Sequence, residues 1–188
     1  MCGINGLVNI HTADRLKLIE RMNNRIIHRG PDMQAVIEFP NCLLGHVRLS
    51  IIDLVSGGQP MQSHDQEISI VFNGEIYGFE KIKQEYKDYP FKTNSDTELL
   101  LAMYLKHGEK MLDYLPGMFS FAIWDNRNQK LFCARDRFGE KPFFYSILNS
   151  GGFVFSSEIK GILESGLVPK KIAKESLGFY LKHLYYPS

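Results

Sequence analysis

A cysteine stands at position 2, and Gly3 beside it leaves room for a small molecule to approach the backbone. A cysteine is inert as a buried hydrophobic residue, but its thiolate is a strong nucleophile. If Met1 is removed, as is usual before a small residue, Cys2 carries the free α-amine of the chain. That amine can act as the base that activates the thiol, as it does for N-terminal threonine nucleophiles. Position 2 therefore predicts either a core cysteine or an N-terminal nucleophile.

Other residues that could bind a ligand or take part in a reaction lie where apolar segments end. They are Arg48 in GHVRLSIID, Asn73, Gly74 and Glu75 in VFNGEIY, and Asp96 in SDTE. Taken singly, each has a structural interpretation. An arginine can lie on a solvated face, Asn-Gly is a common hairpin turn, and an aspartate in the first turn of a helix interacts favourably with the helix dipole. A helical pattern follows VFNGEIY, however, and this disfavours the hairpin.

Together these residues fit a free α-amino acid, which has one carboxylate and one ammonium group. The guanidinium of Arg48 can bind the carboxylate through two parallel hydrogen bonds. The carboxylates of Asp96 and Glu75 can bind the ammonium. The side-chain amide of Asn73 and the N–H of Gly74 are two donors suited to a developing oxyanion. The pattern predicts an amino-acid site in which a carbonyl group is attacked.

Composition excludes several classes of protein. The chain has 188 residues, of which 44% are hydrophobic and 23% charged, as is typical of one soluble domain. A net charge of +1 does not indicate a nucleic-acid partner or a membrane surface, and no secretory signal precedes the domain. Three widely spaced cysteines and six scattered histidines match neither a disulfide framework nor a metal site. We therefore expect a cytoplasmic protein without a metal.

The apolar pattern predicts the elements that position these side chains. Strands are predicted at 2–9, 34–38, 42–47, 67–72, 117–125, 130–136, 143–147 and 153–158, and helices at 14–27, 77–86, 93–108 and 158–165. Ser95 and Glu98 fit a capping box at the start of the third helix. Because strands are many and do not alternate regularly with helices, the order predicts an α+β fold with largely antiparallel sheets.

Eight motifs resemble those of the glutaminase domain of the asparagine synthetase (glutamine-hydrolysing) family. In chain order they are MCGI, HRGPD, RLSIID, GGQPM, FNGEIY, SDTE, GMFSFAIWD and ARDRFGEKP. Members of this family are class II glutamine amidotransferases, and the resemblance covers residues 2–186. It implies the N-terminal-nucleophile hydrolase fold, a four-layer αββα sandwich with Cys2 at one end of a central strand.

The resemblance also implies a reaction and the residues that perform it. In such enzymes the cysteine attacks the side-chain amide of L-glutamine, ammonia leaves, and water hydrolyses a γ-glutamyl thioester. The catalytic residues are Cys2, Asn73 and Gly74. The substrate-binding residues are Arg48, Leu49, Ser50, Ile51, Ile52, Glu75 and Asp96. His28 and Arg29 are expected to support the site without touching the substrate.

The chain departs from the family in its length and at one position. The SGGxDS pyrophosphate loop of the synthetase half is absent, and VSGGQP (55–60) has Gln-Pro where that loop has Asp-Ser. We therefore expect no cofactor in this domain, with ATP and Mg²⁺ needed only by a separate C-terminal synthetase domain that receives the ammonia. Residues 177–188 resemble the start of the linker to that domain. Gly78 replaces the asparagine usual after GEIY.

Two alternatives remain open at this stage. The domain could bind an amino acid or a partner without chemistry. It could also serve an enzyme that amidates another carboxylate, in polysaccharide or secondary metabolism, since the acceptor is chosen outside this chain. In either case, retention of Met1 would leave the Cys2 nitrogen in a peptide bond and predicts an inactive sample.

Overall fold

The computed structural model describes residues 1–185, which form nine β-strands and five α-helices. The strands are β1 (Gly3–Val8), β2 (Met33–Glu38), β3 (Cys42–Arg48), β4 (Met61–Gln62), β5 (Ile68–Ile76), β6 (Gly117–Asp125), β7 (Lys130–Arg135), β8 (Phe144–Ile147) and β9 (Phe153–Ser156). The helices are α1 (Arg15–Arg25), α2 (Phe79–Lys83), α3 (Asp96–His107), α4 (Ile159–Glu164) and α5 (Lys174–His183).

The strands form two antiparallel sheets. The larger has the order β2-β3-β1-β9-β8, and the smaller has the order β4-β5-β6-β7. β1 is therefore the central strand of the larger sheet. Its side chains alternate between the two faces, so that Ile4 and Val8 face the smaller sheet while Leu7 faces the helices. These sheets confirm the α+β prediction.

Three apolar layers hold the four layers of secondary structure together. The sheets pack through Ile4, Val8, Cys42, Leu44, Val71, Ala122, Trp124 and Phe155. α1 and α4 cover the larger sheet through a layer that includes Leu7, Ile19, Met22, Leu43 and Ile162. α3 covers the smaller sheet through a layer that includes Ile70, Phe72, Leu99, Met103 and Phe121. The layer order is αββα, as the resemblance implies.

The start of α3 differs from the predicted capping box. The Ser95 hydroxyl does cap the helix, but it accepts a hydrogen bond from the N–H of Thr97 (3.1 Å), one residue earlier than a capping box requires. The Glu98 carboxylate does not return to Ser95. It accepts from the backbone N–H groups of Lys92 and Thr93 instead (2.7–3.1 Å). Since Glu98 is buried, these bonds fasten the preceding loop to the helix.

β5 continues through Asn73 and Gly74 to Ile76, so Asn-Gly is not a hairpin turn, in agreement with the sequence pattern that disfavours one. Two other parts of the predicted element order need correction. The helix predicted at 77–86 is limited to α2, since left-handed Gly78 (φ 65°) precedes it. The two-residue strand β4 is too short to leave a periodic pattern and was not predicted.

In the predicted linker, α5 extends to His183, and residues 186–188 lie outside the described part of the chain. No helix among the described residues is long and apolar enough to span a membrane.

Candidate functional site

Antiparallel pairing brings the start of β1 to the end of β3. Gly3 lies opposite Val47, so Cys2 stands beside Arg48 and Leu49. The N–H of Leu49 donates to the sulfur of Cys2 (3.4 Å), and the thiol lies 3.6 Å from the Leu49 carbonyl oxygen. The cysteine that the sequence places at the chain start is therefore fixed at the edge of the folded core.

Cys2 opens onto a cleft that collects most of the predicted site. The predicted residues that line it are Cys2, Arg48, Leu49, Ile51, Ile52, Asn73, Gly74, Glu75 and Asp96. Ser50 does not line it, and its N–H donates to the Asp32 carboxylate instead (2.7 Å). The cavity measures about 140 Å³. Sites for drug-sized ligands hold roughly 300–1,000 Å³, so this cleft is suited to a smaller molecule.

One edge of β5 supplies a free backbone donor to the cleft. Alternate residues of a strand point their N–H groups to the same edge, so Phe72, Gly74 and Ile76 share one edge of β5. Side chains accept hydrogen bonds from the first and the last of these three N–H groups. The N–H of Phe72 donates to Gln59 Oε1 (2.7 Å), and the N–H of Ile76 donates to Asp96 Oδ2 (3.2 Å). By the same alternation the N–H of Gly74, between them, points to this edge, and Gly74 lines the cleft.

Asn73 provides a second donor beside Gly74. Its side chain is 2% exposed, and Nδ2 has no hydrogen-bond partner. A buried donor without a partner is rare in a folded protein, so this amide is available to a ligand. Gly74 admits no larger residue, because a Cβ there would lie 2.3 Å from the carbonyl oxygen of Met118. The two donors predicted from Asn-Gly therefore face one site.

Arg48 also holds the loop beside it. The side chain is 7% exposed and donates to the carbonyl oxygens of Ile52 (3.3 Å), Asp53 (2.5 Å) and Leu54 (3.4 Å). These bonds use both N–H groups of Nη2 and one of Nη1, so Nε–H and the second Nη1–H are not used by this loop. The sequence pattern predicts the carboxylate ligand, but the anchoring of the loop was not foreseen.

The two predicted anionic residues differ in environment. Asp96 is 3% exposed at the start of α3, and burial raises the pKa of its carboxyl group to about 6. Glu75 is exposed at the mouth of the cleft, and its negative charge contributes to that rise. Among residues 1–185, Asp96 forms no ion pair, so a ligand ammonium group would supply an ionised Asp96 with a cationic partner.

The raised pKa of Asp96 predicts a stability cost that depends on pH. The pKa of Asp96 in the folded protein lies above that of an unfolded aspartate, so the ionised carboxylate destabilises the fold fully above pH 6. Asp96→Asn should raise the free energy of unfolding at pH 8 by about 1–3 kcal/mol in urea titrations. The gain should shrink from pH 6 to 4 and vanish below. Asp88→Asn, at an exposed position, is the matched control. A loss of stability in Asp96→Asn at pH 8 would contradict this account.

Arg29 lies behind Cys2, and His28 meets it at a shared carboxylate. Arg29 Nε donates to the carbonyl oxygen of Cys2 (2.9 Å), and its Nη1 donates to Glu158 (3.1 Å). His28 contacts the same carboxylate (2.8 Å) and does not line the cleft. Burial alone would raise the pKa of Glu158, but hydrogen bonds from Lys160, Arg29 and His28 lower it to about 2.

The thiol of Cys2 is not activated by its surroundings alone. Burial raises its pKa, and the hydrogen bond from Leu49 and the positive charges of the N-terminal amine, Arg48 and Arg29 oppose that rise only in part. Met1 also lines the cleft, where its sulfur accepts a hydrogen bond from Lys141 Nζ (3.3 Å). A base close to the sulfur is therefore needed for attack.

Sequence reasoning missed several residues of the cleft. Gln59 and Thr97 lie behind the β5 edge, and Lys141 lies beside Met1. Gln59 and Lys141 belong to the GGQPM and ARDRFGEKP motifs, which were the available signal. Within residues 1–185, no group of three or more His, Cys, Asp or Glu side chains could hold a metal ion.

The whole chain matches a known family. The model of the glutamine amidotransferase domain matches residues 1–188. The chain belongs to this family. The cleft described above therefore belongs to a glutamine amidotransferase domain, and it brings Cys2, Asn73 and Gly74 to one small cavity.

This glutamine amidotransferase domain is also similar to longer proteins. It is 41% identical to glutamine-hydrolyzing asparagine synthetase 1 of Bacillus subtilis, over 100% of this chain and 30% of the relative. It is 39% identical to the Zea mays asparagine synthetase, over 86% of this chain and 28% of the relative. A putative asparagine synthetase of Methanocaldococcus jannaschii is 38% identical, over 100% of this chain and 40% of the relative. The chain therefore spans less than half the length of these relatives.

Proposed function

We propose that this domain hydrolyses the side-chain amide of L-glutamine to glutamate and ammonia, with Cys2 as the nucleophile. The observation that carries the proposal is the pair of donors, Asn73 Nδ2 and Gly74 N–H, in the same cleft as the sulfur of Cys2. Such a pair stabilises the oxyanion that forms when a carbonyl group is attacked. The family match and the names of the relatives support glutamine as the substrate.

The substrate is held through its α-carbon groups. Arg48 binds the carboxylate through its positive charge and a remaining N–H donor, and Leu49 with the neighbouring loop forms the wall of the site. Asp96 binds the ammonium at the opposite side, assisted by Glu75 at the mouth. Since these groups and Cys2 line the same cleft, a glutamine held by them directs its side-chain amide towards the sulfur of Cys2.

The reaction uses the free amino group of Cys2, once Met1 is removed. This amine accepts the thiol proton as the sulfur attacks the amide carbon, and the donor pair holds the resulting oxyanion. The protonated amine then gives its proton to the nitrogen that leaves as ammonia. The thioester remains on Cys2. Water, deprotonated by the same amine, hydrolyses the thioester to glutamate and restores the thiol.

The ammonia serves a second domain in this proposal. The relatives are named as asparagine synthetases and are much longer than this chain, which supports a C-terminal ATP-dependent domain as the partner. ATP and Mg²⁺ would act only in that domain. The acceptor is aspartate if the parent protein resembles these relatives, and another carboxylate is the alternative.

The direct test supplies L-glutamine to the domain prepared with Cys2 as its first residue. We expect glutamate and ammonia to appear in equal amounts, measured by enzymatic assay. L-Asparagine, one methylene shorter, is the control substrate and should be hydrolysed far more slowly. If glutamine raises the melting temperature but no glutamate forms, the domain is a binding module and the proposal is wrong.

A further inference from the structure

Gln59 lies at the point where strand pairing along the β5 edge stops. β4 begins at Met61, which pairs with Ile70, and Phe72 lies two residues beyond that pair on β5. The side chain of Gln59 replaces a backbone carbonyl group of a neighbouring strand as the acceptor, because its Oε1 accepts a hydrogen bond from the N–H of Phe72 (2.7 Å).

The other end of the same side chain is fixed to α3. Nε2 of Gln59 donates to Thr97 Oγ1 (3.2 Å), and Thr97 directly follows Asp96. Gln59 is 7% exposed, and its carbonyl oxygen and its amide nitrogen both have protein partners. Although it lines the cleft, it therefore acts on its neighbours rather than on a ligand.

These two bonds join the two halves of the proposed substrate site. Phe72 immediately precedes Asn73 and Gly74, the donors to the oxyanion, whereas Thr97 follows the ammonium ligand. We infer that Gln59 is a positioning residue that fixes the oxyanion donors against the start of α3. The inference rests on the proposed function and adds a residue that does not itself touch the substrate.

The hydrogen bonds on either side of Gly74 explain why Gln59 affects the oxyanion donors. Its N–H lies between two edge groups capped by Gln59 and Asp96. Loss of either cap frees one end of the segment to move or to admit water. Because an oxyanion donor must lie within a few tenths of an ångström of its position, such freedom lowers the rate of attack more than it weakens binding.

The test compares Gln59→Met with Gln59→Glu in the domain that begins at Cys2. Methionine keeps the length of the side chain and loses both hydrogen bonds, so kcat should fall by about 10- to 100-fold with KM changed less than about threefold. Glutamate can still accept from Phe72 and from the Thr97 hydroxyl, so its kcat should exceed that of Gln59→Met. Gln62→Met, in β4, is the matched control, because its side chain bonds to the carbonyl oxygen of Gln66 outside the cleft.

Amide hydrogen exchange provides a readout that does not depend on activity. The N–H of Phe72 should exchange faster in Gln59→Met than in the parent chain, and unchanged exchange would overturn the inference. A folded Gln59→Met whose kcat stays within twofold of the parent would overturn it as well. If the parent chain itself releases no glutamate, the proposed function fails instead, and exchange at Phe72 alone decides whether Gln59 fixes the strand edge.

Discussion

Cys2→Ala should abolish glutamine hydrolysis, with a loss of at least about 10⁴-fold in kcat. The variant keeps the donor pair and the ligands of the α-carbon groups, but no other group in the cleft can form the thioester. Ammonia release measured over hours is the assay. Glutamine should still raise the melting temperature, because its carboxylate and ammonium groups are bound by residues that the substitution leaves in place.

Cys133→Ala is the matched control for this substitution. Cys133 lies in β7, and burial raises its pKa to about 12, so its thiol is unreactive at neutral pH. This variant should keep activity within about twofold. Turnover by folded Cys2→Ala above about one hundredth of the parent rate would show that the sulfur of Cys2 is not the nucleophile.

Asn73→Ala should lower kcat by about 10²–10³-fold and change KM much less. The side-chain amide stabilises charge that exists only after attack, so its loss weakens the transition state rather than the bound substrate. Asn73→Asp should be at least as impaired, because an ionised carboxylate offers no donor and repels the oxyanion. Steady-state kinetics on glutamine separates kcat from KM.

Asn24→Ala, on the exposed side of α1, is the control for the asparagine substitution. It should leave both kinetic constants unchanged. The opposite effect of Asn73→Ala on the two constants would contradict the role of Asn73. If kcat is preserved and KM rises tenfold or more, the amide binds the ground state of glutamine and the oxyanion is held elsewhere.

Much of the site could be predicted because its residues lie at the ends of regular elements. Cys2 and Arg48 are brought together by the pairing of β1 with β3; both strands were predicted, but their pairing was not. Asn73 and Gly74 were recognised as donors although their backbone was open to interpretation as a turn. Strand β5 settles that question, since both residues are paired with β6.

Features that depend on distant partners could not be predicted. Gln59 acts through Phe72 and Thr97, and neither contact follows any local periodicity. The capping box failed for the same reason, since Glu98 bonds to the preceding loop rather than to its own helix start. Local motifs identify which residues can act, whereas tertiary contacts decide which atoms they meet.

The central claim is that the α-amine of Cys2 is the base for its own thiol, and one comparison tests it directly. The same domain is prepared in two forms, one beginning at Cys2 and one with a single additional glycine before Cys2, each verified by mass spectrometry. The account predicts glutamate release from the first form and less than about one hundredth of that rate from the second, although both fold and both bind glutamine. Equal rates from the two forms would contradict the claim.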